Sequence, residues 1–399
     1  MSTEQMSSRE RMLAAIRREG PDHVPLSLMI SQGPYFKEPL FWYNQIERAE
    51  RLLDLGLDPV IDIWLPDPQP HPDVAIKTWR EHKGSEVLIT KEYHTPAGVL
   101  RQTVHETEDW CSHRHAGWQP TTFGIENRNF CGVDLFDDYN VSRRTEPWVK
   151  SPEDLDKLRF IIRPPDGHLL EEWRMDAERA VELAQGYEVL TEARRTIVGD
   201  AFQWFCDIPW FTMQLYDDPG FVEEFLGIFQ DWSIKLVELV LQVGVDVVQY
   251  RGWYEPPTFW GTEGWQKHIV PLIEEQTGMV HEGGRLHSYL LTEGHTPYAK
   301  ILKDMGVDVL QGIDPRMLHG GDLHSIFDQL GDSKAFWGGV DVEHTLLSED
   351  RDRIRTAVRE AIEILGGNGG LVLSANLHRD VPHQSIMWMI EAWREYCNP

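Results

Sequence analysis

The chain lacks several features that would settle its class at once. No stretch approaches the ~20 uninterrupted apolar residues of a membrane helix, and the opening MSTEQMSSRERML has no apolar core of the kind a secretory signal carries. A cytoplasmic location is therefore expected. Cysteine is scarce: Cys111, Cys131, Cys206 and Cys397 lie far apart with no CxxC pair, which points to free thiols rather than a disulfide framework or a zinc ribbon. Positive charge is short as well, with 38 Lys plus Arg against 65 Asp plus Glu and a formal net charge of −27. A nucleic-acid backbone or an anionic membrane is then a poor partner. No GxGxxG turn follows the first candidate strand, as a dinucleotide fold would need. No low-complexity linker or internal repeat divides the chain, which is read as a single domain over 1–399.

What remains is an ordinary globular composition, 41% apolar and 26% charged over 399 residues, with a high count of 16 tryptophans. Several of these fall at 110–118 and 253–260, where they either floor an apolar pocket or pack long loops. Ser7-Ser8-Arg9-Glu10 reads as a capping box ahead of Met12, Leu13 and Ile16 at helical spacing. Short β-rich runs follow at 24–30, 60–65, 188–193, 246–250, 285–290, 307–312, 335–340 and 370–375. Helical patterns between them close at Gly56, Gly244, Gly283-Gly284, Gly306 and Gly366-Gly367. Eight continuous apolar strands alternating with helices predict a (β/α)8 TIM barrel, with a doubly wound open sheet as the competitor. Residues 66–187 interrupt the rhythm as an insertion after the second strand. Within it, 86–93 and 99–106 read as a β-hairpin around Thr95-Pro96-Ala97-Gly98, and the insertion serves as a lid or wall over the catalytic face, or as a dimer interface.

Several segments resemble the superfamily that holds uroporphyrinogen decarboxylase and the zinc methyltransferases serving corrinoid proteins. They are Arg9-Glu10-Arg11-Met12 through Pro21-Asp22-His23-Val24-Pro25, the Thr95-Pro96-Ala97-Gly98 turn, Ser151-Pro152-Glu153-Asp154-Leu155, Gly244-Val245-Asp246, Gly338-Gly339-Val340-Asp341, and Leu373-Ser374 ahead of Val381-Pro382. The resemblance spans nearly the whole chain and implies the same barrel, a small-molecule substrate, a corrinoid protein as partner and a homodimer. Two departures matter. Where decarboxylases of uroporphyrinogen carry an Arg-rich stretch, this chain reads Ser31-Gln32-Gly33-Pro34-Tyr35, so a polyanionic porphyrinogen is a poor substrate. Where the methyltransferases carry His-x-Cys and a later Cys, it reads His287-Ser288-Tyr289 and Asn376-Leu377-His378.

Barrel geometry gathers strand ends at one rim, so residues distant in sequence converge there. The rim candidates are Asp62, Glu192, Arg194, Arg251, Glu255, His287, Asp314, Asp341, His344 and His378. His287, Tyr289, Asp62 and Asp314 are expected to act chemically, while Arg251, Trp253, Tyr35 and His113 are expected to touch substrate. Glu255, His287 and His378 form a candidate Zn²⁺ set of two imidazoles and a carboxylate, a hard Lewis acid suited to activating an oxygen. His287 and Tyr289, two apart, share one face of their strand, either into the barrel or toward the helices. His295 reads as a solvated residue capping a helix, and His319, His324 and His344 as surface loop histidines. Demethylation of a small methylated substrate linked to a corrinoid protein is the leading expectation. Cofactor-free decarboxylation, with Asp62 or Asp314 as acid and Arg251 or Arg194 gripping a carboxylate, is the alternative, and a non-catalytic ligand-binding homologue the third.

Overall fold

Ser7 opens the Ser8–Arg17 helix by a reciprocal cap, its hydroxyl accepting the Glu10 N–H at 3.3 Å while the Glu10 carboxylate accepts the Ser7 N–H at 2.9 Å. The apolar stripe of that helix, Met12, Leu13, Ala15 and Ile16, packs against Val60, Leu190, Val247, Val309 and Val372, one residue from each of five strands. The computed structural model describes residues 5–28, 37–107, 118–120, 122–123, 125–127, 133–378 and 380–397. Among them no helix is long and apolar enough to cross a membrane.

In chain order the strands are β1 (Val60–Trp64), β2 (Ala75–Lys83), β3 (Glu86–Thr95), β4 (Gly98–His105), the short β5 (Trp118–Pro120), β6 (Ile125–Asn127) and β7 (Arg144–Glu146). Then come β8 (Leu190–Ile197), β9 (Val247–Gly252), β10 (Leu286–Leu291), β11 (Val309–Ile313), β12 (Ala335–Gly339) and β13 (Leu371–Ser374). The seven strands β1, β8, β9, β10, β11, β12 and β13 form one parallel sheet in that order. The run expected at 24–30 is seen through residue 28, as a parallel bridge of Leu26 to Leu373 on β13. The Leu26 carbonyl also accepts the Asp58 N–H at 2.9 Å just ahead of β1, so this segment touches both ends of the sheet.

The sheet is curled. Strands stand about 4.8 Å apart, so β8 and β11, three places apart, would be separated by about 14 Å in a flat sheet. Yet the Gln311 amide donates to the Glu192 carboxylate directly. The inward residues form layers with period two. Val60, Leu190, Val247, Leu286 and Val309 make an apolar bottom layer sealed by the Ser8–Arg17 helix, and two residues further along each strand stand Asp62, Glu192, Gln249, Ser288 and Gln311, all buried.

The segment between β1 and β8 contributes a second, antiparallel sheet in the order β2-β3-β4-β7. Thr95-Pro96-Ala97-Gly98 turns β3 into β4, with Thr95 opposite Gly98. β2 lies at the edge and is exposed at all nine of its residues.

Candidate active site

The middle layer of the curled sheet is a largely buried charged network. Arg194 forms ion pairs with Asp62 at 2.6 Å and Glu192 at 3.0 Å, while Arg48, from the Gln45–Asp54 helix, reaches the other Asp62 oxygen at 3.1 Å. Gln45 fixes the Asp62 backbone by accepting its N–H at 2.8 Å. Glu192 accepts from Ser288 at 3.3 Å and from Gln311, whose own carbonyl oxygen accepts from Gln249. Burial pushes the Glu192 carboxyl up, with Arg194 opposing. Asp62, expected to act chemically, is thus held between two guanidiniums in this layer. Such buried pairs are costly to break singly, because the remaining charge is stranded.

Above the layer, where β9 to β13 end, lies a cavity of about 70 Å³ lined by Trp253, Leu290, Ile313, Asp314, Trp337 and Asn376. Asp314, just past β11, is half-buried. Its carboxylate accepts the Arg316 N–H at 2.8 Å, but burial raises its pKa, and neighbouring Asp341 adds to the rise. A carboxyl whose pKa is raised beside indole rings is a candidate to donate a proton to a bound molecule.

The wall carrying Trp253 is organised by Asp200, a residue the sequence reading passed over. Its buried carboxylate accepts the Arg251 guanidinium at 2.8 Å and the backbone N–H groups of Trp253 at 3.2 Å and Tyr254 at 2.7 Å. Burial lifts Asp200 to about 6, with Arg251 and the two N–H donors pulling the other way. Arg251 in turn stacks on Trp253 at 4.2 Å, Trp204 at 4.8 Å and Tyr254 at 5.5 Å. Asp138 accepts from the Tyr254 hydroxyl at 2.7 Å and the Trp204 indole at 2.8 Å. The sequence signal for Asp200 was its place three residues past the true end of β8 at Ile197, which is four residues later than the apolar run alone implied.

Of the expected site residues, Arg251, Trp253 and Asp314 gather at this end of the sheet, and the others do not join them. Tyr35 and His113 lie outside the described residues. His287 and Tyr289 face the surrounding helices. His287 meets Thr277 of the Val270–Glu282 helix at 2.7 Å, and Tyr289 donates to Glu255 at 2.8 Å while accepting the Trp265 indole at 3.2 Å. Glu255 also accepts from Tyr250 at 2.9 Å, and burial followed by the nearby Asp200 pushes its carboxyl well above the usual range. His378 lies at the surface beside Glu343 at 3.3 Å. The expected zinc set of Glu255, His287 and His378 is therefore corrected: one imidazole faces a helix, one faces solvent, and two tyrosine hydroxyls occupy the carboxylate. Among the described residues no group of three or more His, Cys, Asp or Glu is placed to hold a metal ion. His295 is corrected too, since it is fully buried at the start of the His295–Leu302 helix rather than solvated.

Residues 206–396 match the family model for uroporphyrinogen decarboxylase (URO-D). No curated protein matches the sequence. Among solved structures, a methyltransferase from Methanosarcina mazei superposes with a TM-score of 0.54 at 14% identity, over 98% of this chain and 99% of that one, which shows a shared fold. A D-psicose 3-epimerase with D-tagatose from Clostridium cellulolyticum H10 aligns over 57% of this chain and 85% of its own at 10% identity, with a TM-score of 0.38.

Proposed function

We propose that this chain belongs to the uroporphyrinogen decarboxylase superfamily, whose family model matches residues 206–396, and that its parallel strands close as a (β/α)8 barrel whose C-terminal mouth removes a methyl group from a small methylated substrate. A corrinoid protein is the proposed acceptor, and the chemistry it supplies is a nucleophilic metal centre that takes the methyl group. The observation that carries this reading is Asp314, a carboxyl with a raised pKa in a cleft walled by Trp253 and Trp337. As the bond from methyl carbon to its heteroatom breaks, the electron pair stays on the heteroatom, and Asp314 delivers the proton that neutralises it. The indoles exclude water and hold the apolar methyl group. No step is assigned to zinc, since the described residues supply no matching donor set.

Decarboxylation is the weaker reading for a specific reason. Arg251 and Arg194, the guanidiniums expected to grip a carboxylate, are both engaged in ion pairs, with Asp200 and with Asp62 and Glu192. Among the described residues, the cleft lining has an acid and aromatic rings but no unengaged cation.

The test incubates the protein with a panel of O- and N-methylated small molecules and reduced cobalamin as acceptor, following the demethylated product. Asp314→Asn is expected to lower kcat by about 100-fold or more with KM little changed. Activity of the unaltered protein should decline as pH rises through the elevated Asp314 pKa, because the acid form is the active one. Release of CO₂ from a carboxylic acid without any methyl acceptor, or full activity in Asp314→Asn, overturns the proposal.

A further inference from the structure

The edge strand β2 is unlike the rest of the chain. All nine of its residues are exposed, both faces included, and among them are Ile76 at 50% and Trp79 at 40%. It pairs with β3 on one side only, from Ala75 opposite His94 to Lys83 opposite Glu86. A long, exposed edge is a template for another strand unless it is blunted by charged side chains, proline, a bulge or a cover, and charges blunt it only where a partner strand does not neutralise them. β2 has no proline, and its register with β3 runs without a shift.

The register also says which backbone groups are free. The turn between β2 and β3 has two residues, Gly84 and Ser85, with Gly84 at φ +65°. In such a hairpin the flanking pair, here Lys83 and Glu86, exchanges both hydrogen bonds. By alternation, Lys77, Trp79 and Glu81 turn their N–H and C=O groups toward β3. Ile76, Thr78, Arg80 and His82 then present theirs at the open edge.

We propose that β2 pairs antiparallel with β2 of a second copy of this chain, about a twofold axis at Trp79. The sequence AIKTWREHK is complementary to itself in that register. Trp79 faces its own counterpart, Lys77 faces Glu81 and Glu81 faces Lys77, while Thr78 lies opposite Arg80 with all four edge backbone groups of that pair satisfied. No like charges stand directly opposite. The pairs at Trp79 and at Lys77 with Glu81 are the non-hydrogen-bonded ones, in which side chains approach most closely. Charge complementarity rests on the two Lys77–Glu81 pairs that the twofold register creates, while Arg80 and Lys83 face the uncharged Thr78 and Ala75. The twofold contact closes on itself and joins two four-stranded sheets into one of eight.

The experiment is sedimentation of the full chain across a concentration series, with circular dichroism and melting temperature as controls for folding. The unaltered protein is expected to sediment as a dimer. Thr78→Pro removes an N–H that the β2–β3 ladder does not use, and is expected to give a folded monomer. Lys77→Glu alone, and Glu81→Lys alone, place like charges opposite each other twice by symmetry and should weaken the dimer about tenfold. Lys77→Glu combined with Glu81→Lys should restore it. A monomer at every concentration, a dimer indifferent to Thr78→Pro, or a double variant no tighter than the single ones would each overturn the assignment.

Discussion

His287 shows how much the protonation of one side chain is settled by a neighbour. The Thr277 hydroxyl gives its hydrogen to the Ile273 carbonyl at 2.8 Å, so its oxygen accepts from the imidazole, and His287 carries its proton on Nδ1. Nε2 is left as a buried lone pair without a partner among the described residues. Protonating it would strand a charge, and burial lowers the pKa to about 3. The unfolded chain takes up a proton near pH ~6.5, whereas the folded chain does not. Stability is therefore complete above that pH and falls progressively as pH drops from about 6.5 toward about 3. His295, at about 4, acts in the same direction. Urea unfolding of His287→Leu is expected to show a shallower loss of stability between pH 7 and pH 5 than the unaltered chain, and an unchanged slope would refute this account.

Strand ends tolerate little added volume around Glu255. A Cβ at Gly252, the last residue of β9, would lie 2.6 Å from Tyr289 Cε2 and 2.7 Å from Glu255 Oε2. Gly252→Ala must part the tyrosine from the carboxylate that holds it, and a loss of about 1–3 kcal/mol is expected in a denaturant titration. The seven parallel strands were legible in the sequence because strands buried on both faces appear as short apolar runs between turn residues. β2 was not, since a strand exposed on both faces carries no alternation, and β7 is only three residues long. The site was legible in part. Arg251, Trp253 and Asp314 follow from counting strand ends. The facing of His287 and Tyr289 depends on a parity of one residue that composition does not encode. Asp200 was hidden because the polar Arg194-Arg195-Thr196 ends the apolar run, while the strand itself continues to Ile197.

Taken as one object, the protein carries a charge that works against its own compactness. With 65 acids and 38 Lys plus Arg, mutual repulsion of surface carboxylates opposes folding and weakens over a Debye length of about 10 Å at 0.1 M salt. Raising sodium chloride from about 10 mM to about 150 mM is expected to lift the melting temperature by a few degrees. A fall instead would mean that favourable surface ion pairs such as Arg351 with Glu391 outweigh the general repulsion.

The helix beginning at Ser8 gives the interior the form of a blind alley. With Met12, Leu13 and Ile16 stoppering one end against the lowest ring of side chains, the proposed reaction would have to take in its substrate and release its product from the opposite end.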